Sequence, residues 1–301
     1  MFARPPVYLL LALILLAILH FPYSVDQPLA EIDLESTRRY YADAYKQEIA
    51  EPEAPPSEFE SRYLEVATVA AQALDVEGQV RSFVAEYGLE DKRVLDIGSG
   101  RGYLQDIVED YTGLDISSTV ARFYHKKFVL GSATAMPFAD DSFDGAWSIW
   151  VQEHVPNPEQ FLRETRRVMK DDGVIFLHTA WGLPPWTAQG YQVRPYSDFG
   201  ASGKLIKATI PIRVFARRFA LVPIRAVRRM SVLFGSTTLH YHRLEPNYDI
   251  YWQGDSDAVN GIDAYEAMLW FTSRGDECLN CSPVSSFLLM DAEPLVIRIH
   301  K

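Results

Sequence analysis

The sequence predicts an α/β fold built on a doubly wound parallel sheet. Between Lys92 and Lys170, short β-rich apolar runs alternate with helical stretches. A glycine-rich turn follows the first of those runs, and a carboxylate stands at the end of the second. The chain has 301 residues, 48% of them hydrophobic, enough for a sizeable core. Its formal charge of −11 argues against bulk electrostatic attraction to nucleic acid, and no such partner is expected. Two cysteines are too few for a disulfide framework or a four-thiolate site, and no metal is expected.

The amino terminus departs from globular behaviour. From Val7 to Leu19 every residue is apolar or aromatic, preceded by Arg4 and followed by His20, Phe21, Pro22 and Tyr23. No small-residue cleavage site follows, so residues 1–23 are expected to form an uncleaved, single-pass membrane anchor. Residues 24–60 carry ten carboxylates against Arg38, Arg39 and Lys46, and contain Glu51-Pro52-Glu53-Ala54-Pro55-Pro56. They read as a solvated acidic linker with one short helix around Leu34–Ile49. A second helical stretch runs from Arg62 to Tyr87, with Gly78 as a possible break and Gly88 as its end.

The expected strands are Arg93–Ile97, Tyr111–Leu114, Phe128–Leu130, Phe143–Ile149 and Val174–His178. Helices are expected at Tyr103–Val108, Ser117–His125 and Pro158–Met169. Asn157-Pro158-Glu159 suits the last of these, since asparagine caps free amides, proline fits the first turn and glutamate complements the helix dipole.

The chemistry is concentrated in Val94-Leu95-Asp96-Ile97-Gly98-Ser99-Gly100-Arg101-Gly102-Tyr103-Leu104. Glycines let the backbone turn sharply and approach a ligand closely. The spacing is G-x-G-x-G; a dinucleotide fingerprint would place its third glycine where Tyr103 stands, which disfavours a nicotinamide cofactor. Asp115 ends the second strand, 19 residues after Asp96, where a carboxylate accepts from both hydroxyls of a ribose. Its bland alternative is a cap on the helix that follows.

Taken together these segments resemble the class I S-adenosylmethionine-dependent methyltransferases, in the methyltransferase-11 or UbiE-like branch. VLDIGSGRGYL is similar to the family's first motif, YTGLDIS to its acidic second-strand motif, and the segment from Gly131 to Gly173 to its third and fourth. The resemblance covers about residues 90–180. It implies a Rossmann-like seven-stranded sheet and S-adenosylmethionine as cofactor. Asp96, Gly98, Ser99, Gly100 and Gly102 would hold the methionine end, Asp115 and Ile116 the ribose, and Ser132 and Ala133 the adenine. Ser148 to Val151, with Trp150, would close the site below the sulfonium. Ser132 stands where the family usually has an acid, but a serine still accepts a hydrogen bond. If a base is needed, Glu153 and His154 are the candidates by family analogy, with structural packing of His154 as the alternative.

The resemblance divides the remainder of the chain. The core would run from 61 to 180 and close with residues 263–301, where Asp263–Gly275 reads as a late helix and Glu277–Cys281 and Leu295–His300 as a strand pair. Residues 181–262 are then an insertion placed to act as a lid over a small or lipid-like acceptor. Trp181, Trp186, Tyr191, Tyr196 and Phe199 supply aromatic surface there. Between Lys204 and Arg229 stand eight basic residues and no acid, which reads as an element meeting anionic lipid, divided by Pro211 and Pro223, or as a solvated helical face. Cys278 and Cys281, at i and i+3 of a strand, read as ordinary residues on opposite faces.

The expected function is methyl transfer at a membrane surface, with the catalytic domain on the cytoplasmic side. Arg4 alone would orient the chain the other way; the basic insertion favours the cytoplasmic leaflet. The alternatives are a cofactor-binding scaffold without turnover, or an NAD-linked oxidoreductase.

Overall fold

The structure, a computed structural model, describes residues 5–18, 31–45, 67–248, 255–281 and 294–301. Seven strands form the central sheet: β1 (Arg93–Ile97), β2 (Asp110–Asp115), β3 (Lys127–Leu130), β4 (Phe143–Ile149), β5 (Met169–His178), β8 (Glu277–Cys278) and β9 (Leu295–Arg298). Their order is β3-β2-β1-β4-β5-β9-β8. The first five pair in parallel, and β9 lies antiparallel between β5 and β8. The chain thus forms the α/β sheet that the sequence predicts. β6 (Tyr241–Arg243) and β7 (Asn260–Ile262) make a separate antiparallel ribbon.

Alternation along the strands explains why both faces are covered. Val94, Val174, Phe176 and Val296 point into one apolar cluster with Val76, Val80 and Phe83 of α3 (Val76–Tyr87). Leu95, Ile97, Ile175, Leu177, Leu295 and Ile297 point into the other. That cluster contains Phe161 and Leu162 of α4 (Pro158–Val168) and Trp270 and Phe271 of α6 (Ala264–Thr272). A parallel sheet needs such cover on both sides, and period-2 side chains supply it.

The helix ends follow local chemistry. Asn157 accepts from the amide of Gln160 with Pro158 in the first turn of α4, as its sequence suggests. The break in the stretch before β1 falls at Leu74–Asp75 rather than at Gly78. Asp75 takes a left-handed conformation and its carboxylate accepts from the amide of Gly78, where a Cβ would sit 2.2 Å from that carboxylate. Gly78 is therefore the residue that admits the cap.

Several expectations are corrected. Residues 103–108 form turns and no helix, because Gln105 is tied sideways: its side chain donates to Phe123 O and accepts from the amides of His125 and Lys126. A 3-10 helix over Ser118–Phe123 replaces the one expected at Ser117–His125. Pro211 and Pro223 do not divide the insertion, since α5 runs unbroken from Ala201 to Ser231. Cys278 and Cys281 are joined in a disulfide, because β8 stops at Cys278 and the chain turns back on itself. The 24–60 stretch is not only a tether: α2 (Glu31–Ala44) buries Thr37, Tyr40, Tyr41 and Ala44 against the body. Residues 46–60 lie outside the described residues.

The amino-terminal helix α1 spans Pro5–Ile18, 14 residues, and packs along α5. At 1.5 Å per residue it is about 21 Å long, against about 30 Å of bilayer hydrocarbon. Among the described residues no helix is long and apolar enough to cross a membrane. The spanning anchor expected over 1–23 is not supported by this helix; residues 1–4 and 19–23 lie outside the described ones.

Four of the eight basic residues of α5 are turned inward. Arg225 makes a two-pronged bond to Asp263 at 2.9 and 2.7 Å, and Arg228 does the same to Glu266 at 2.8 and 2.6 Å. Lys207 donates to Tyr191 O and Gln192 O, and Arg217 to Gly182 O. These contacts pin α5 to the body, so these four charges do not form a free face for lipid headgroups. Arg225→Ala would strand the buried Asp263 carboxylate, a change that costs about 3–5 kcal/mol for a broken buried pair. Chemical denaturation is expected to show that loss, whereas Lys204→Ala, at an exposed position, leaves the midpoint unchanged.

Candidate active site

The site lies at the carboxyl ends of β1, β2 and β4, where parallel α/β sheets bind ligands. The turn after β1 carries Gly98, Gly100 and Gly102 at φ +71°, +49° and +67°. Side-chain-bearing residues rarely adopt these values, and the space is closed as well. A Cβ on Gly98 would meet Val151 Cγ2 at 2.3 Å, and one on Gly102 would meet the Tyr124 ring at 2.6 Å.

Asp115 holds this turn from the tip of β2. Its Oδ2 accepts from the Gly100 amide at 2.8 Å and its Oδ1 from the Ser117 amide at 2.8 Å. Each oxygen keeps a further lone pair for a ligand hydroxyl. Burial raises the Asp115 carboxyl, and its backbone hydrogen bonds pull it back down. Asp96 sits deeper, where burial pushes its carboxyl up to about 7 while the 2.8 Å bond from Tyr111 works the other way.

A cavity joins these elements. It is lined by Gly98, Asp115, Ile116, Ser132, Ala133, Trp150 and His154 of the expected site, together with Val151, Val155 and Pro156. The other expected residues support it from behind. Ser99 accepts from Tyr124, Asp96 accepts from Tyr111, and Ser148 donates to Ile97 O instead of facing the cavity. Gly100 and Gly102 shape the turn without lining the space. Trp150 is held at φ +51° with its amide on His178 O, a strained backbone of the kind that gathers at functional sites.

Sequence reasoning missed the cover of this cavity. Thr37, Tyr41 and Tyr45, from α2 and its end, line it. Tyr45 OH lies 3.1 Å from where a Gly100 Cβ would stand. α2 is held in place by Thr119 on Ala42 O, Arg122 on Tyr45 O, and a 2.7 Å bond from Tyr41 to Asp257. The signal available was the cluster Tyr40, Tyr41 and Tyr45, an aromatic group inside an otherwise acidic stretch.

The two candidate bases differ in position. His154 lines the cavity, with Nδ1 3.5 Å from Asp257 Oδ2 and its ring edge-on to Tyr41. Burial disfavours its charged form, but Asp257, Glu153 and Asp255 outweigh that and raise its pKa. Glu153 is fully buried and does not reach the cavity. Its Oε1 accepts from the Ala180 amide at 3.0 Å, and burial pushes its carboxyl up to about 7. Asp255 and Asp257, from the end of the insertion, complete a group that the sequence reading did not assemble.

The glycine turn, the paired acceptor at Asp115 and the Ser132–Ala133 wall fit S-adenosylmethionine: close backbone approach, a ribose acceptor, and a small-residue slot for a flat ring. The turns over 103–108 also leave no helix N-terminus for the pyrophosphate of a dinucleotide, in line with Tyr103 at the position of the missing glycine.

Residues 95–177 match the methyltransferase domain family. A fatty-acid O-methyltransferase of Mycolicibacterium smegmatis is 33% identical over 122 residues, covering 35% of this chain and 44% of that protein. An uncharacterized methyltransferase of Mycobacterium tuberculosis is 36% identical over 102 residues, covering 30% and 40%. The chain therefore spans less than half the length of these relatives. Among solved structures, an amino pentose methyltransferase from Micromonospora echinaspora with S-adenosylmethionine bound shows 14% identity and a TM-score of 0.33, over 36% of this chain and 50% of that one. Over residues 95–177, then, the chain is similar to the methyltransferase domain family that its motifs resemble.

Proposed function

We propose that the chain transfers a methyl group from S-adenosylmethionine to a small acceptor with an apolar body, at the surface of a membrane. The observation that carries this reading is one continuous cavity that joins Asp115 and the glycine turn to the Trp150–Pro156 loop. The cofactor supplies an electrophilic methyl on a sulfonium. The chain supplies position: Asp115 for the ribose, Gly98 for close approach, Ser132 and Ala133 beside the adenine. His154, Val155 and Pro156 form the acceptor end, and Tyr41 and Tyr45 exclude water from above. Orientation of this kind accounts for most of the acceleration that methyl transfer needs.

The acceptor class draws on two supports. A relative's name specifies a fatty acid, and two helices of this chain expose apolar side chains side by side. Leu9, Leu11 and Leu15 of α1 and Leu205, Phe215 and Val227 of α5 all stand more than half exposed, with Leu9 at 63% and Val227 at 68%. Apolar surface on this scale marks contact with a bilayer or a partner. We assign it to the interface of a membrane, on the cytoplasmic side, where the cofactor is made available.

Three measurements test this. Calorimetric titration of the detergent-solubilised chain is expected to show saturable binding of S-adenosylmethionine and none of NADH. Asp115→Ala removes charge-assisted hydrogen bonds of about 1.5–3 kcal/mol and is expected to weaken binding roughly tenfold to a hundredfold. Gly98→Ala, which drives a Cβ into Val151, is expected to abolish it. Unchanged affinity in both variants would remove the cofactor assignment.

In vesicle flotation the chain is expected to rise with the lipid, and the double change Leu9→Glu and Leu11→Glu to leave it in the dense fraction. Labelled-methyl transfer should then be screened against fatty acids, membrane lipids and quinones. Transfer to a soluble polar acceptor alone, with flotation unaffected by the double change, would overturn the membrane-surface reading.

A further inference from the structure

Behind the acceptor end of the cavity lies a buried cluster that methyl transfer does not account for. One ligand atom from each of Glu153, His154 and Asp255 lies within 4.8 Å of the other two. Asp257 stands against the same imidazole, its Oδ2 3.5 Å from Nδ1. Glu153 and Asp257 are 0% and 1% exposed. Each has one oxygen already engaged, Glu153 Oε1 on the Ala180 amide and Asp257 Oδ2 on Tyr41. Their second oxygens, Glu153 Oε2 and Asp257 Oδ1, are buried with no hydrogen-bond partner, as is His154 Nδ1.

Buried polar atoms are satisfied in the great majority of cases, and buried charges are paired or coordinate metals. Three carboxylates here face one imidazole, and two of them, Glu153 and Asp257, keep an oxygen that meets no hydrogen-bond donor among the described residues. A cation between them would give both of those oxygens a partner. Asp255 is held at φ +67°, a backbone cost at the residue that completes the group.

We propose that Glu153, His154 and Asp255, with Asp257 against them, bind a divalent cation of the Mg²⁺ or Mn²⁺ kind. Carboxylate oxygens with a single imidazole and no thiolate suit these harder ions. The position gives the cation a task. Glu153 and His154 belong to the loop whose Trp150, Val151, Val155 and Pro156 line the cavity. Asp255 and Asp257 belong to the far end of the insertion, and Tyr41 ties Asp257 to α2. A cation there would join acceptor loop, insertion and cavity cover at one point.

The test does not depend on the methyl-transfer reading, because it reads cation binding directly. The full chain, stripped with a chelator, is titrated calorimetrically with MnCl₂, MgCl₂ and CaCl₂. One saturable Mn²⁺ or Mg²⁺ per chain is expected, together with a raised melting temperature. Glu153→Gln keeps an acceptor for the Ala180 amide but loses the charge, and is expected to weaken binding about tenfold or more. Asp257→Asn serves as the second variant should the first fail to fold. Asp172→Asn, in the exposed Asp171–Asp172–His300 group, is expected to change nothing. Absence of saturable binding by all three ions would overturn the proposal. So would binding that survives in Glu153→Gln and Asp257→Asn, or that is lost in Asp172→Asn.

Discussion

The site depends on one interaction, the bond from the Gly100 amide to the carboxylate of Asp115. It ties the turn after β1 to the tip of β2, so that two neighbouring strands present their ends as a single surface. The turn itself is possible only because three glycines accept left-handed conformations in a space that has no room for a Cβ. Parallel pairing of β1 with β2, Asp96 opposite Gly113 and Ile97 opposite Leu114, then fixes the height at which the carboxylate meets the amide. Methyl transfer, the activity proposed above, asks a scaffold chiefly for position, and here position follows from strand register and backbone geometry.

What the sequence shows plainly is whatever a local pattern dictates. The core strands are readable because each carries apolar residues for both faces, as buried parallel strands must. Phe143–Ile149 and Arg93–Ile97 are found with the boundaries their sequences suggest. The carboxylate 19 residues after Asp96 is readable because strand–turn–strand spacing in such folds is narrow. Residues 103–108 mislead for the opposite reason. Their apolar spacing suits a helix, but Gln105 is captured by backbone groups at 123, 125 and 126, and the segment folds as turns. A tertiary hydrogen-bond network outweighs propensity there, and propensity is all a short window reveals.

The long helix α5 illustrates a second limit. Counting charges along 204–229 finds a basic stripe, yet the count carries no information about direction. Four of those residues (Lys207, Arg217, Arg225 and Arg228) are spent on carbonyls and carboxylates of the body, and these contacts hold the helix in place across Pro211 and Pro223. Beside the exposed Lys204 and Arg229, the outward face carries large apolar side chains, shared between α5 and the short helix α1 that lies along it. On the membrane-surface proposal, attraction would then rest on apolar area as well as on charge. The apolar part of that attraction would depend little on ionic strength, since apolar burial is not screened by salt as headgroup contacts are.

The acceptor end lies furthest from any linear motif. His154 belongs to a loop that the family pattern marks out, but its surroundings come from three places: Tyr41 near the amino terminus, Ala180 after β5, and Asp255 and Asp257 more than a hundred residues later. The loop is stitched down by Asn260 on Val155 O and by Arg243 on Pro156 O, so it cannot relax away from the buried carboxylates beside it. A fold that packs three acids around one imidazole and ties down the loop that carries Glu153 and His154 leaves the buried Glu153 carboxylate no easy turn toward water. The orphaned oxygens of Glu153 and Asp257 would then be met inside, by a shared proton or by a bound cation. Either answer couples the acceptor wall to the cover helix through the single hydrogen bond between Tyr41 and Asp257.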